Sequence, residues 1–188
     1  MRLLVGVGLA VLLAACATLR PAVPPLPTPV LSMDTPWSLQ GRIAIKAGEK
    51  SQSGQLQWQH RKDREELLLL SPLGQGVARL VSDAEGVLLE IPNKPPRRAP
   101  DAESLTREAL GVALPLSGLR YWIGARPDPA RPFEQSVDTH GGITQIRQDG
   151  WVIDYLQYMS DVPDRPRKLT IARNGLEIRL VIDTWELE

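Results

Sequence analysis

Cysteine occurs once in the chain, at position 16, so no disulfide can form within it. Charge of either sign is not in excess: 22 Lys+Arg balance 22 Asp+Glu. That balance argues against nucleic acid as a partner, which calls for a basic face. The basic runs Arg61-Lys62-Asp63-Arg64 and Arg165-Pro166-Arg167-Lys168 are short and interrupted, and read as solvated loops. Nucleotide-binding signatures of the GxxxxGK[ST] and GxGxxG kinds are missing, and so is a GxSxG nucleophile elbow. Only two histidines occur, His60 and His140, and neither has metal-ligand spacing to another His or Cys; both read as solvated positions. The carboxylates are scattered, with no pair set across a cleft. No catalytic residue, metal or cofactor is expected, and the chain does not read as an enzyme. Long apolar runs are also missing. The longest, Leu3 to Ala15, has 13 residues, short of the roughly 20 that span a bilayer core.

That run follows Met1-Arg2 and ends in small residues, the form of a secretory signal peptide over residues 1–15. Proline is concentrated just after it, at positions 21, 24, 25, 27, 29 and 36. Proline removes backbone donors and favours extended chain, so residues 16–36 read as a semi-rigid tether. The folded domain is expected over 37–188.

Within that domain the dominant period is two. Trp37, Leu39, Gly41, Ile43 and Ile45 alternate with polar or small neighbours, as in a strand with one buried face. Leu56 and Trp58 alternate with glutamines, and Ala47-Gly48-Glu49-Lys50 is a turn between two hairpin strands. Leu67 to Leu70 is continuously apolar and predicts a strand covered on both faces. Val77–Ser82 and Val87–Ile91 follow as strands. Pro92 to Pro100 holds four prolines and reads as non-strand. Asp101 is a helix N-cap candidate with a stop at Gly111, and Pro115 to Ile123 reads as a second helix. Beyond the proline-rich stretch 127–132, strands are expected at Ile143–Gln148, Trp151–Met159, Lys168–Arg173 and Leu176–Trp185. Asp149-Gly150 and Asn174-Gly175 are their hairpin turns. Roughly nine antiparallel strands with two inserted helices predict a mainly β fold: an incomplete, unclosed barrel with the helices as its lid. A closed, filled barrel is the alternative.

The residues around the cysteine, Leu13-Ala14-Ala15-Cys16, look like the lipobox of bacterial lipoproteins. Several stretches of the domain resemble the LolB family, in order. They are Trp37-Ser38-Leu39-Gln40-Gly41-Arg42-Ile43-Ala44, Ser53 to Gln59, Ser71-Pro72-Leu73-Gly74, Leu114-Pro115-Leu116 with Leu119 and Trp122, Gln148-Asp149-Gly150-Trp151 with Tyr155, and Trp185. In one place the pattern departs: a glycine is expected two residues before Pro127, where Ala125 stands. The departure bears only on the local turn.

The resemblance implies an outer-membrane lipoprotein with a LolA/LolB-like fold. It would take triacylated lipoproteins from the periplasmic carrier LolA and release them into outer-membrane lipid, as a monomer and without nucleotide. Cys16 would be the acylated anchor, with Ala17 in place of an inner-membrane retention Asp. Leu73, in a Pro-X-Gly turn, matches the family's exposed membrane-inserting leucine; the competing reading folds it back on the core. Period two puts Leu39, Ile43, Ile45, Leu56 and Trp58 on one face, and the helical face offers Leu116, Leu119, Trp122 and Ile123; these are expected to line the acyl-chain cavity, with plain core packing as the alternative. Trp37, Trp151, Trp185 and Arg42 are read as structural, Arg42 by bonding neighbouring backbone. A purely structural or assembly lipoprotein is the rival function.

Overall fold

The alternation beginning at Trp37 builds a long strand whose odd residues enter the core at one end and surface at the other. In the computed structural model, which describes residues 35–162 and 164–187, this strand is β1, Trp37–Ala47. Trp37 and Leu39 are buried, whereas Ile43 and Ile45 are only half-buried. The signal and tether expected before Thr35, Cys16 included, lie outside the described residues. β1 pairs with β2 (Lys50–Arg61) on one side and with β11 (Leu176–Leu187) on the other. The other strands are β3 (Arg64–Leu70), β4 (Gly76–Asp83), β5 (Gly86–Glu90), β6 (Arg97–Ala99), β7 (Phe133–Val137), β8 (Ile143–Gln148), β9 (Trp151–Tyr158) and β10 (Pro166–Arg173). All neighbours are antiparallel, in the order β6-β5-β4-β3-β2-β1-β11-β10-β9-β8-β7. The edge strands β6 and β7 do not pair, so the curled sheet stays open between them, as an incomplete barrel.

Eleven strands form among the described residues where roughly nine were expected. The two extra ones are short sheet edges. β6 has three residues between Pro96 and Pro100, and proline is tolerated beside an edge where the outward N–H needs no partner. β7 shows no apolar alternation because both its faces are largely exposed, with Phe133 and Val137 in solvent. β3 also departs from expectation. Leu67 and Leu69 are buried, but Leu68 and Leu70 are half-buried on the outer face, so that face is not roofed by another layer. It carries instead a ladder in which the Arg79 guanidinium reaches Glu66 at 2.7 Å and Glu90 at 2.5 Å.

Close backbone approach tightens the curl at two glycines. A Cβ on Gly41 would lie 2.4 Å from the Val181 carbonyl oxygen, and one on Gly54 would lie 2.2 Å from that of Leu70. At Gly41 the β1–β11 register slips, leaving Asp183 bulged out of the pairing. Arg42 therefore meets a carboxylate rather than backbone: its guanidinium donates to Asp183 at 3.0 and 3.3 Å.

The end of the barrel at Trp37 is an aromatic cluster. Trp37 packs on Trp58, His60 and Trp185, with ring centroids 5.6, 5.0 and 5.4 Å away. His60 is thus buried, not solvated, and its Nδ1 lies 2.6 Å from Glu65 Oε1. The other oxygen of Glu65 accepts from the Trp58 indole N–H at 2.7 Å. Alternation from Leu56 and Trp58 already places His60 inward, and the inward position outweighs the polarity of the ring.

Candidate functional site: the apolar concavity, its lid and the Leu73 loop

The two helices inserted between β6 and β7 cover the concave face of the sheet. α1 spans Ala102–Leu110 and α2 spans Leu116–Trp122. Asp101 caps α1, its carboxylate accepting from the Ser104 amide at 2.7 Å, a bond that holds the carboxyl below its ordinary range. Gly111, at φ 75°, ends the helix. Thr106 is fully buried. Its hydroxyl donates to the Ala102 carbonyl at 2.7 Å and accepts from the Leu114 amide at 2.9 Å, tying the interhelix segment to α1.

The C-terminal end of α2 is anchored by polar groups of the sheet. Gln148 Oε1 accepts from the Trp122 indole N–H and from the Asp128 amide, both at 2.9 Å. Its amide nitrogen donates back to the Asp128 carbonyl at 2.9 Å. The Tyr155 hydroxyl donates to the Trp122 carbonyl at 2.7 Å, and burial pushes that phenol well above its usual range, so it remains a donor. The N-terminal end of α2 meets the sheet differently. Leu114, Leu116 and Leu119 face Ile43, Leu56, Trp58, Leu67, Leu80, Ile178 and Leu180 across a void of about 20 Å³. α1 adds two partly exposed ion pairs, Arg173 with Glu103 at 3.3 Å and Arg97 with Glu108.

Of the nine expected cavity residues, Ile43, Leu56, Trp58, Leu116 and Leu119 meet at this void. Leu39, Trp122 and Ile123 are buried in the packing around it, and Ile45 is half-buried at the rim. The hollow itself is not open. A void of about 20 Å³ has room for little more than one water, and its lining is wholly apolar. The lid leucines fill the hollow, so the lid is closed on the sheet. Leu67, Leu80, Leu114, Ile178 and Leu180 complete the lining and were not among the expected cavity residues, although Leu67, Leu80, Ile178 and Leu180 lie on inward positions of their strands. Gln148 stood in the stretch that carries the resemblance and two places after the inward Ile146, but nothing in the sequence marked it as the anchor of α2.

The Leu73 side chain is 89% exposed at the tip of the β3–β4 connection, so it does not fold back on the core. The turn is closed by the Gly74 amide donating to the Ser71 carbonyl and by the Ser71 amide donating to that of Gln75, at 2.9 and 2.7 Å. Val77, 44% exposed, stands nearby on β4 and extends the apolar tip.

The family model for "Outer membrane lipoprotein LolB" matches residues 35–185, nearly the whole folded domain. The chain belongs to the LolB family. A LolB of Thiobacillus denitrificans, an outer-membrane lipoprotein, is 51% identical over 98% of this chain and 97% of its own length. Its counterpart from Nitrosococcus oceani is 38% identical, covering 94% of this chain and 93% of its own length. Among solved structures, a LolA superfamily protein from Nitrosomonas europaea superposes with a TM-score of 0.52 at 11% identity. That match covers 82% of this chain and 87% of the other. A DUF1329 family protein from Desulfovibrio piger gives a TM-score of 0.54 at 8% identity, covering 82% and 86%. At such identities the superpositions speak for the fold: an unclosed antiparallel sheet with a helical lid, common to the LolA superfamily protein and this LolB family member.

The departure at Ala125 has a structural consequence in this chain. Ala125 sits just past α2 with φ 53°, a left-handed conformation that disfavours a Cβ. Its amide still donates to the Trp122 carbonyl at 3.0 Å, so the turn closes as a helix cap. Replacing it with glycine should relieve the strain. We expect Ala125→Gly to raise the unfolding free energy by about 0.5–1 kcal/mol, read from urea midpoints; a loss of stability would show that the buried methyl matters more.

Proposed function

We propose that this protein accepts triacylated lipoproteins from a LolA-type periplasmic carrier and inserts them into the outer membrane, to which acylated Cys16 anchors it. Residues 1–15 serve as its signal and 16–36 as its tether. The observation that carries the reading is the division of the closed core into two parts: a concave apolar sheet, and a lid whose leucines fill it. Polar bonds hold α2 at Trp122, and ion pairs of Glu103 and Glu108 hold α1 at the sheet, whereas Leu114, Leu116 and Leu119 meet the sheet only through apolar contact. Swinging the leucine-bearing end outward about the Trp122 anchor exchanges lid leucines for hydrocarbon on the same surface. Lid and cargo thus compete for one apolar face, and the net free-energy change is small although the gross terms are large.

The gross terms set the mechanism. Acyl chains are worth about 0.8 kcal/mol per buried CH₂, so three chains of about sixteen carbons represent tens of kcal/mol and cannot cross water bare. Transfer passes from one dry cavity to another, down a gradient in which each 1.4 kcal/mol gives about tenfold bias. The reading requires no nucleotide and no covalent chemistry; the lipoprotein is cargo, not substrate.

The test is a handover. A purified carrier loaded with radiolabelled triacylated lipoprotein is mixed with this protein, and the two are separated by affinity tag. Most of the label should move to this protein within minutes without added nucleotide. Label that stays on the carrier at equilibrium would leave a structural lipoprotein as the better description.

A further inference from the structure

We propose that a groove on the outer face of the sheet, beside the Leu73 loop, holds an anionic phospholipid of the membrane into which that loop reaches. The groove lies on the other face of the sheet from the covered concavity, and Ile43 and Leu180 border both. Cross-strand register places Gln55, Arg42, Val181 and Lys168 in one row across β2, β1, β11 and β10. The next row is Ser53, Ala44, Arg179 and Thr170. Residues directly opposite in such rows share a face, and these stand on the face opposite buried Leu169 and Leu180. They enclose a depression of about 560 Å³, within the range of about 300–1,000 Å³ common for clefts that take small molecules.

Its chemistry is that of an amphiphilic anion's site. The floor and one wall are apolar, from Ala44, Val181 and Leu156, the last 56% exposed where a bulge leaves it outside the β9–β10 pairing. The polar lining includes three cations, Arg42, Lys168 and Arg179, and no carboxylate. Arg42 and Arg179 are ion-paired, with Asp183 at 3.0 Å and with Glu177 at 2.5 Å, carboxylates that do not line the groove, while Lys168 is in no ion pair among the described residues and is the cation left for a ligand. An apolar trough with a cationic rim complements a hydrocarbon chain that ends in a phosphate.

Continuity with the loop selects the membrane as the source. Pro72 lines the groove and precedes Leu73, and the Gln55 side chain donates to the Pro72 carbonyl at 3.3 Å. The inference rests on Leu73 entering the bilayer, because that entry brings the groove to the lipid headgroups. A lipid held there would fix the depth and tilt of the barrel against the inner leaflet while cargo leaves.

The test uses the mature acylated protein, reconstituted through its own anchor in phosphatidylcholine vesicles that contain a phosphatidylglycerol with a photoreactive diazirine in one acyl chain. After irradiation, label should appear on peptides containing Leu156 and Val181 as well as on the Leu73 loop. Each basic side chain near an anionic leaflet is worth about fivefold in binding, so Lys168→Gln with Arg179→Gln should cut label at Leu156 and Val181 about twenty-five-fold. Both side chains are exposed, so the fold is unaffected, and label at Leu73 should stay unchanged. Label at Leu73 with none in the groove overturns this proposal alone; label at neither position removes the membrane-entry reading beneath it. Groove label indifferent to the double substitution also overturns the proposal. So does equal hydrogen-exchange protection of the groove in pure phosphatidylcholine vesicles, since protein, whether a second copy or the chain's own proline-rich segment, would then fill it.

Discussion

Leu73→Glu should leave the protein as stable as wild type and as able to take cargo from the carrier, but unable to place that cargo in a bilayer. The side chain is 89% exposed at a loop tip, and surface changes of this kind usually alter stability by less than about 0.5 kcal/mol. In the proposed function cargo is taken up at the concavity under α2, a separate surface. The membrane step is where the substitution acts. Burying a leucine in hydrocarbon contributes about 2 kcal/mol, and putting a carboxylate at similar depth costs about 2 more. Together that is about 4 kcal/mol, roughly three decades in the population of the inserted loop. Leu73→Ala should fall between, about tenfold down, and Leu73→Phe should deliver near normally. The measurement is transfer of labelled lipoprotein from this protein into vesicles, with carrier-to-protein transfer followed separately. Delivery by Leu73→Glu at the wild-type rate would mean that the loop is not the inserting device, and the tip formed by Leu73 and Val77 would need another purpose.

How much of this was visible in the residues depended on which physical signal carried it. Strands with one wet face show themselves by alternation, so β1, β2, β8, β9, β10 and β11 and their Asx-Gly turns were legible. The lid was legible from its caps, Asp101 and Gly111, and from the leucine spacing of α2. Edge strands were not: β7 is wet on both faces and leaves no pattern, and β6 hides among prolines. Leu68 and Leu70 misled because a run of leucines also serves a strand whose outer face is roofed only by charged side chains such as Arg79. Arg42 was read to the correct face and the wrong partner, since the bulge that presents Asp183 depends on close approach at Gly41. The outer groove was invisible altogether. Alternation tells which face a residue occupies and nothing about the curvature of that face.

The same closed lid leads to an expectation of opposite sign for stability and binding. Leu116 is buried, and it fills the concavity only in the closed form. Truncating a core leucine costs about 2–5 kcal/mol, so Leu116→Ala should lower the melting temperature by at least about 4 °C. The open form, in which residue 116 has left the sheet, loses none of that contact. The substitution therefore shifts the balance toward open molecules. Apparent affinity scales with the fraction that is binding-competent, so 2 kcal/mol taken from the closed form should tighten binding of a fluorescent triacylated peptide by about thirtyfold. Gln148→Leu provides the contrast. It strips the acceptor from the Trp122 indole and the Asp128 amide, bonds on the anchored end that persist when the lid swings. It should lower the melting temperature by a comparable amount, at about 1–3 kcal/mol for each buried donor left without an acceptor, and leave the affinity unchanged. If Leu116→Ala instead weakens peptide binding in proportion to its stability loss, the leucine is part of the bound-state wall. The competition between lid and hydrocarbon for the surface around Trp58 and Leu180 would then not be how this protein opens.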